Sequence, residues 1–305
     1  MVSLHVIGQQ DELHTQFGYN KMILNPAFAG ADYYTSVTAM VRDQWNGLQG
    51  APTYQLVSAS VPFQKTKVGL GFVGKRTTIG IEENLELKAM YAYQIRVGQS
   101  KLRLALQAAG RRYNIDYTDD RIFAIDGINE DPNLLEQKFS THTFNAGLGA
   151  LYRIKKMYFG VSIPRLIRSK YGYEKSGDNT YEARILYSMI GSLFTVSETV
   201  KVSTQALFKV TENAPYDLDI QGGLIFKDDY HFGINYRMGG GQENIGESLA
   251  LLIGLQPTAP LFFGFSYDFT FSSIRKYESG TLEAVIQYNI GRKKDHQHIT
   301  NPRYF

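Results

Sequence analysis

The chain has 305 residues, 43% of them apolar and 20% charged, which excludes a disordered or low-complexity protein. Thirty-two basic residues against 29 acidic ones leave a formal charge of +3, too balanced for a dedicated nucleic-acid binder, and the absence of cysteine excludes thiolate metal sites, catalytic thiols and disulfide frameworks. Mean hydropathy is −0.25, and the longest clean apolar run, Leu249 to Leu255, falls far short of the roughly 20 residues of a membrane helix, yet 21 Tyr, 18 Phe and 29 Gly make an odd load for a soluble chain.

Met1 to Gly8 form a short apolar stub without a basic leader, so residues 1–10 are read as a signal-peptide remnant cleaved near Gln9 or Gln10 and set apart from the fold. Residues 11–35 contain the turn Asn25-Pro26 and no clear strand, and read as an N-terminal periplasmic or plug-like segment. From residue 36 onward helical spacing is scarce and period-two alternation is everywhere. Leu102, Leu104 and Leu106 alternate with Arg103, Ala105 and Gln107; Tyr230, Phe232, Ile234 and Tyr236 alternate with His231, Gly233, Asn235 and Arg237. Leu282, Ala284, Ile286, Tyr288 and Ile290 alternate with polar or smaller residues in the same way. Successive strand side chains point to opposite faces, so each segment has one apolar face and one polar or glycine face.

Strands are expected near 36–43, 53–63, 67–76, 84–97, 101–112, 141–154, 156–164, 180–196, 199–211, 218–227, 229–237, 248–256, 261–271 and 280–290, about 14 in all. Every second connection is very short, such as Gly98-Gln99-Ser100 and Ser197-Glu198, while the intervening ones, including 113–140, 165–179 and 238–247, are longer and polar. A soluble sandwich has no reason to sort its loops by parity. An all-β, transmembrane, antiparallel up-and-down barrel in a bacterial outer membrane does, with short turns in the periplasm, long loops outside and both chain ends on the short-turn side. Tyr91, Tyr93, Tyr230, Tyr236 and Tyr288 near strand ends fit the aromatic girdles of such a barrel. The barrel is expected over 36–290, followed by a polar, basic periplasmic tail, 291–305.

No catalytic, cofactor-binding or metal-ligating set emerges. Gly69, Gly71 and Gly74 spell a dinucleotide fingerprint but lie within one strand with no helix after them, so they read as small lumen-side residues. Gly160-Val-Ser162-Ile-Pro164 lacks the second glycine and the helix of a nucleophile elbow. His296 and His298 have chelating spacing but are only two ligands, and His231 reads as a solvated lumen residue. The acid-rich loop 113–140 reads as a solvated outer surface, with weak calcium binding the minority alternative.

Within that barrel, Asn25-Pro26-Ala27-Phe28-Ala29-Gly30 resembles a motif of the type IX secretion system membrane proteins of the PorP/SprF family. So does Arg42-Asp-Gln44-Trp45-Asn-Gly47-Leu-Gln-Gly50-Ala51-Pro52. The glycine-rich stretch Val68 to Gly74, the strand containing Tyr267-Asp268 and the closing Asn301-Pro302-Arg303-Tyr304-Phe305 are similar as well, and the likeness runs from about residue 11 to 305. The resemblance implies an integral outer-membrane protein of Bacteroidota that assists secretion or surface anchoring of large cargo proteins, gliding adhesins among them in some members. It implies as partners the translocon, periplasmic ring lipoproteins and cargo with a type IX C-terminal signal domain, besides outer-membrane lipid, and no nucleic acid. Asn25, Pro26, Gly30, Arg42, Gln44, Trp45, Pro52, Tyr267, Asp268, Asn301, Pro302 and Phe305 are carried over as structural or partner-contact positions. The alternative is an outer-membrane channel for small or hydrophobic solutes. It needs an open lumen, which inward Arg103, Gln107, Arg111, Gln205, Gln221 and Asn235 would line unless they pair with Glu86, Glu283 and Asp268.

Overall fold

The computed structural model describes residues 12, 14–119, 138–171, 181–239 and 246–291. Fourteen strands follow one another: β1 (Thr35–Asp43), β2 (Thr53–Phe63), β3 (Val68–Ile79), β4 (Glu82–Val97), β5 (Ser100–Asp116), β6 (Lys138–Ile154), β7 (Met157–Ile163), β8 (Ile185–Thr195), β9 (Val200–Thr211), β10 (Asp217–Phe226), β11 (Tyr230–Gly239), β12 (Ser248–Leu255), β13 (Leu261–Thr270) and β14 (Thr281–Ile290). Each pairs antiparallel with its neighbours in sequence, and β14 pairs with β1 from Thr35↔Ile290 to Asp43↔Leu282. That seam closes the sheet, so each strand finds backbone partners on both sides, the condition for crossing hydrocarbon with strands. No described helix is long and apolar enough to cross a membrane.

Loop parity persists. The turns 64–67, 98–99, 155–156, 196–199, 227–229 and 256–260 lie at one end, which both ends of the barrel chain share; 44–52, 271–280 and the strand ends Asp116, Lys138, Ile163, Ile185, Gly239 and Ser248 lie at the other. One connection departs from expectation. Instead of a loop over 77–83, Thr77–Ile79 keep pairing with Glu82–Asn84, leaving a two-residue hairpin, Gly80-Ile81, with Gly80 at φ 57°. β5 and β6 likewise run on together to Asp116↔Lys138, beyond their expected ends at 112 and 141. β8 starts at Ile185 rather than near 180, because the chain leaves β7 at Pro164 and turns inward. There Asn145 holds it: its Oδ1 accepts from the backbone N–H of Leu166 and Ile167, 3.0 Å each, and its Nδ2 donates to the Ile167 carbonyl at 2.8 Å.

The outer face is apolar in a band. Exposed Leu104, Leu106, Phe144, Leu148, Phe232, Ile234, Leu251, Ile253 and Phe265 point outward, far more contiguous apolar surface than a soluble monomer presents. Tyr93, Tyr152, Tyr230 and Tyr288 border the band on the short-turn side. The inner face departs from the polar lumen implied by alternation. Met40, Leu56, Val73, Met90, Leu151, Tyr158, Met189, Leu207 and Phe262 point inward and are buried in a hydrophobic cluster, because residues before β1 occupy the lumen.

Candidate functional site

That occupant is the segment ahead of β1, wound into three 3-10 turns, Phe17–Tyr19, Lys21–Ile23 and Pro26–Phe28. From His14 to Gly30 each residue except the half-buried Tyr19 is buried, so the segment presents no solvated face to a pore. Phe17, Met22, Ile23, Leu24 and Phe28 form the hydrophobic cluster with the inward wall residues. Small spaces remain on either side: one bounded by His14, Lys75, Lys88, Gln107 and Arg165, the other by Tyr19, Lys21, Asp32 and Gln287.

Asn25 and its neighbours fasten this plug to the wall. The Asn25 Oδ1 accepts from the Ala27 N–H at 2.9 Å, capping the third turn, while its Nδ2 donates to the carbonyls of Ala150 on β6 (3.0 Å) and Val161 on β7 (3.3 Å). Proline at the first position of that turn has its φ preset and needs no donor. Gly149 and Gly160 make the approach possible; a Cβ on Gly160 would lie 2.9 Å from the Asn25 Nδ2. Gly30 sits at φ 59° and donates its N–H to the Ser60 Oγ at 2.8 Å. A side chain on Gly30 would collide with Gly69, and one on Gly69 or Gly71 with Ala29. Gly69 and Gly71 of the fingerprint-like run thus serve as the floor on which the plug lies; Gly74, expected on the lumen side, faces outward beside Leu87, because three residues after Gly71 the strand's alternation has turned it to the other face. Arg103 clamps the same turn, donating from Nε to the Ala27 carbonyl at 3.0 Å and from Nη2 to that of Ala29.

A buried charge cluster ties the plug to the closing seam. Arg42 on β1 lies directly across from Glu283 on β14. Its Nη1 donates to the Glu283 Oε2 at 2.8 Å and its Nη2 to the Asp268 Oδ2 at 2.9 Å. Glu283 in turn accepts the backbone N–H groups of Thr15 (3.1 Å) and Gln16 (2.8 Å), and the Thr15 hydroxyl donates to Asp268 at 2.7 Å. One arginine and two carboxylates thereby join the first strand, the last two strands and the plug. Further round the wall Arg237 pairs with Asp219 at 3.0 Å and Lys209 with Asp217 at 3.2 Å. Towards the long-loop end Glu86 takes Arg111 at 2.6 Å, Lys75 at 3.1 Å and Lys88 at 3.2 Å, and Lys75 also reaches the plug residue Glu12. Inside the plug, burial pushes the Lys21 ammonium down to about 7, partly countered by Asp32. Its Nζ donates to the Gly18 carbonyl at 2.8 Å and lies over Tyr158 at 5.4 Å.

The residues singled out in the sequence fall into two places. Asn25, Pro26, Gly30, Arg42 and Asp268 lie inside, in the plug or on the wall that holds it. Gln44, Trp45, Pro52 and Tyr267 pin the outer rim. The Gln44 N–H donates to the Pro52 carbonyl at 3.0 Å, the Trp45 N–H to the Thr281 Oγ1 at 3.1 Å, and the Tyr267 hydroxyl to the Ser279 carbonyl. Asn301, Pro302 and Phe305 lie outside the described residues, as do His296, His298 and 120–137 of the acidic loop. Of the inward polar residues, Arg111 does pair with Glu86, but Arg103 binds plug carbonyls and Asn235 donates to Asp219 at 2.6 Å. His231 is not solvated: it is buried beside Phe262, ring centroids 5.0 Å apart, and Tyr19 of the plug. Thr15 and Gln16 carry no signal in the sequence, whereas Glu283, expected as a partner for inward polar residues, does take one, Arg42. Among the described residues no group of three or more His, Cys, Asp or Glu side chains is placed to hold a metal ion.

Comparison with known proteins adds the family. The crystal structure of the Acinetobacter baumannii outer membrane protein Omp33 superposes with a TM-score of 0.50 at 8% identity, over 86% of this chain and 100% of that one. The CymD monoaromatic hydrocarbon channel superposes with a TM-score of 0.55 at 12% identity, over 95% of this chain and 96% of that one. At such identities the likeness is one of fold: an outer-membrane barrel. No curated protein matches by sequence. The family model for type IX secretion system membrane protein PorP/SprF matches residues 6–288. The chain therefore belongs to the PorP/SprF family and is an outer-membrane β-barrel component of the type IX secretion system.

Proposed function

We propose that this barrel is a non-enzymatic member of the secretion machinery that assists export or surface anchoring of large cargo, contacting the translocon and periplasmic ring lipoproteins from its short-turn side. The observation that carries this reading is the occupied lumen. A barrel filled by its own buried segment from His14 to Gly30 is a poor route for cargo, which leaves rims, loops and outer wall as working surfaces. The burial in plug packing of His14 and His231, the inward histidines among the described residues, supports a structural use over a catalytic one. Cargo bearing a type IX C-terminal signal domain, gliding adhesins among it, an origin in Bacteroidota and removal of residues 1–10 as a signal peptide belong to the same proposal.

Pull-down of epitope-tagged protein from detergent-solubilised outer membrane tests the partners: translocon components, ring lipoproteins or secreted cargo are expected in the eluate, and recovery of none refutes the claim. Planar-bilayer recording separates this from the solute-channel reading. The plugged barrel passes no steady current, whereas ohmic pores in purified protein favour the channel.

A further inference from the structure

Among the described strand residues, the outward-facing positions of β1, β2, β4 and β7–β14 carry no lysine, arginine or histidine. Those of β3, β5 and β6 do, and three fall on one cross-strand row. Arg76 on β3 is opposite Leu85 on β4, Leu85 opposite Arg112 on β5, and Arg112 opposite His142 on β6. Adjacent strands lie about 4.8 Å apart, so the two arginine backbones stand roughly 10 Å apart with Leu85 between them. Immediately towards the short turns lies the row Val57, Gly74, Leu87, Gly110, Phe144. Leu87 and Phe144 lean over its two glycines, 3.6 Å from the Cβ position of Gly74 and 3.5 Å from that of Gly110, and remain 62% and 75% exposed. Outward residues on β5 then stay apolar or small from Gly110 down to Leu102. Eight residues at about 3.4 Å each, tilted about 40°, span roughly 21 Å, close to the height of the apolar band of an outer-membrane barrel. The arginine row therefore stands where the outer leaflet's hydrocarbon gives way to headgroups.

Arg112 is preset for a ligand. Both of its bonds to described residues use Nε, to the Asn114 Oδ1 at 3.0 Å and the Ser140 Oγ at 3.2 Å, which fixes the guanidinium and leaves its terminal nitrogens available. Arg76 is shared with Glu83, which accepts from its Nε at 3.0 Å and from Nη2. On the outward positions of these strands Arg76, Arg112 and Lys138 outnumber Glu83 and Asp116 by one positive charge, Asp116 being taken by Lys138 at 2.9 Å. Guanidinium forks match phosphate oxygens in pairs.

We propose that this row is a binding site for a phosphorylated glycolipid of the outer leaflet, its phosphate held by Arg112 and Arg76 and its acyl chains lying beside Leu87 and Phe144. The test uses the full chain in phosphatidylcholine nanodiscs doped with diphosphorylated lipid A or with the same lipid enzymatically dephosphorylated, bound lipid being counted by native mass spectrometry. Wild type is expected to retain the phosphorylated form about tenfold better than the dephosphorylated one, and R76Q/R112Q to lose that preference. R96Q, near the opposite rim, is expected to keep it. Equal retention of the two lipids by wild type overturns the proposal whether or not the double variant folds. So does an undiminished preference in a double variant that keeps the heat-modifiable gel migration of a folded barrel.

Discussion

Replacing Arg42 by methionine tests whether the charge cluster at the seam holds plug and barrel together. The substitution keeps most of the buried volume but removes the donors at 2.8 Å from Glu283 and 2.9 Å from Asp268, both carboxylates being buried. Removing one partner of a buried pair costs about 3–5 kcal/mol, because the orphaned charge cannot regain water. Here two carboxylates lose the same cation. Arg237, at 3.8 Å from Asp268, and His14, at 3.7 Å from Glu283, are too distant to replace it in full. A loss of about 3–5 kcal/mol is therefore expected in urea unfolding of the lipid-reconstituted barrel, together with faster amide exchange in 35–43, 281–290 and the plug residues Thr15 and Gln16. The triple variant R42M/D268N/E283Q removes the charges together and is expected to recover most of the loss, a strong non-additivity. If R42M costs less than about 1 kcal/mol, or the triple variant is no more stable than R42M, the cluster is a solvated set of charges and the clamp argument fails.

Three more outcomes follow from the plug. N25A removes one capping bond and two bonds to wall carbonyls, and at about 1 kcal/mol for each buried hydrogen bond should destabilise plug docking by about 2–3 kcal/mol, read as faster proteolysis of residues 17–30 with the barrel still folded. G30A must hold alanine at φ 59° with its Cβ 2.7 Å from the Val61 carbonyl; a loss of more than about 2 kcal/mol is expected in the same assay, and a neutral result would mean that the plug does not lie on Gly69. The Lys21 ammonium is held down near 7 in the docked plug from an ordinary value of 10.5, so between those limits the released segment binds more protons than the docked one. Docking should tighten as pH rises from 7 towards 10, seen as increasing exchange protection of residues 17–24 after correction for intrinsic rate, and K21M should flatten that dependence.

Period-two alternation made the barrel legible because lipid demands one apolar face from every strand. The interior left weaker marks. Arg42 and Glu283 are 241 residues apart and meet because the closing seam sets them opposite each other, a register no local pattern encodes. Met40, Val73 and Met90 alternate with residues that are themselves apolar or small, so this hydrophobic part of the lumen left no polar face to count. His231 read as solvated for the same reason: the rings that bury it, Tyr19 and Phe262, come from distant segments.

The misplaced strand ends have a more useful cause. Alternation runs out at residue 76 on β3, 84 on β4, 112 on β5 and 141 on β6, yet pairing continues to Ile79, from Glu82, to Asp116 and from Lys138. Past those points the outer face carries Thr78, Glu83, Asn114, Asp116, Lys138 and Ser140, while the inner face keeps Ile79, Tyr113, Ile115 and Phe139 among its polar residues. A strand standing in water on its outer side has no need of an apolar outer face, so the apolar-outward pattern stops while the hydrogen bonds persist. Four independent strands lose alternation within a residue or so of the row Arg76, Leu85, Arg112 and His142. What ends there is the apolar outer face, not the sheet, and Thr78, Glu83, Asn114 and Ser140 mark that level without reference to the arginines' own charge.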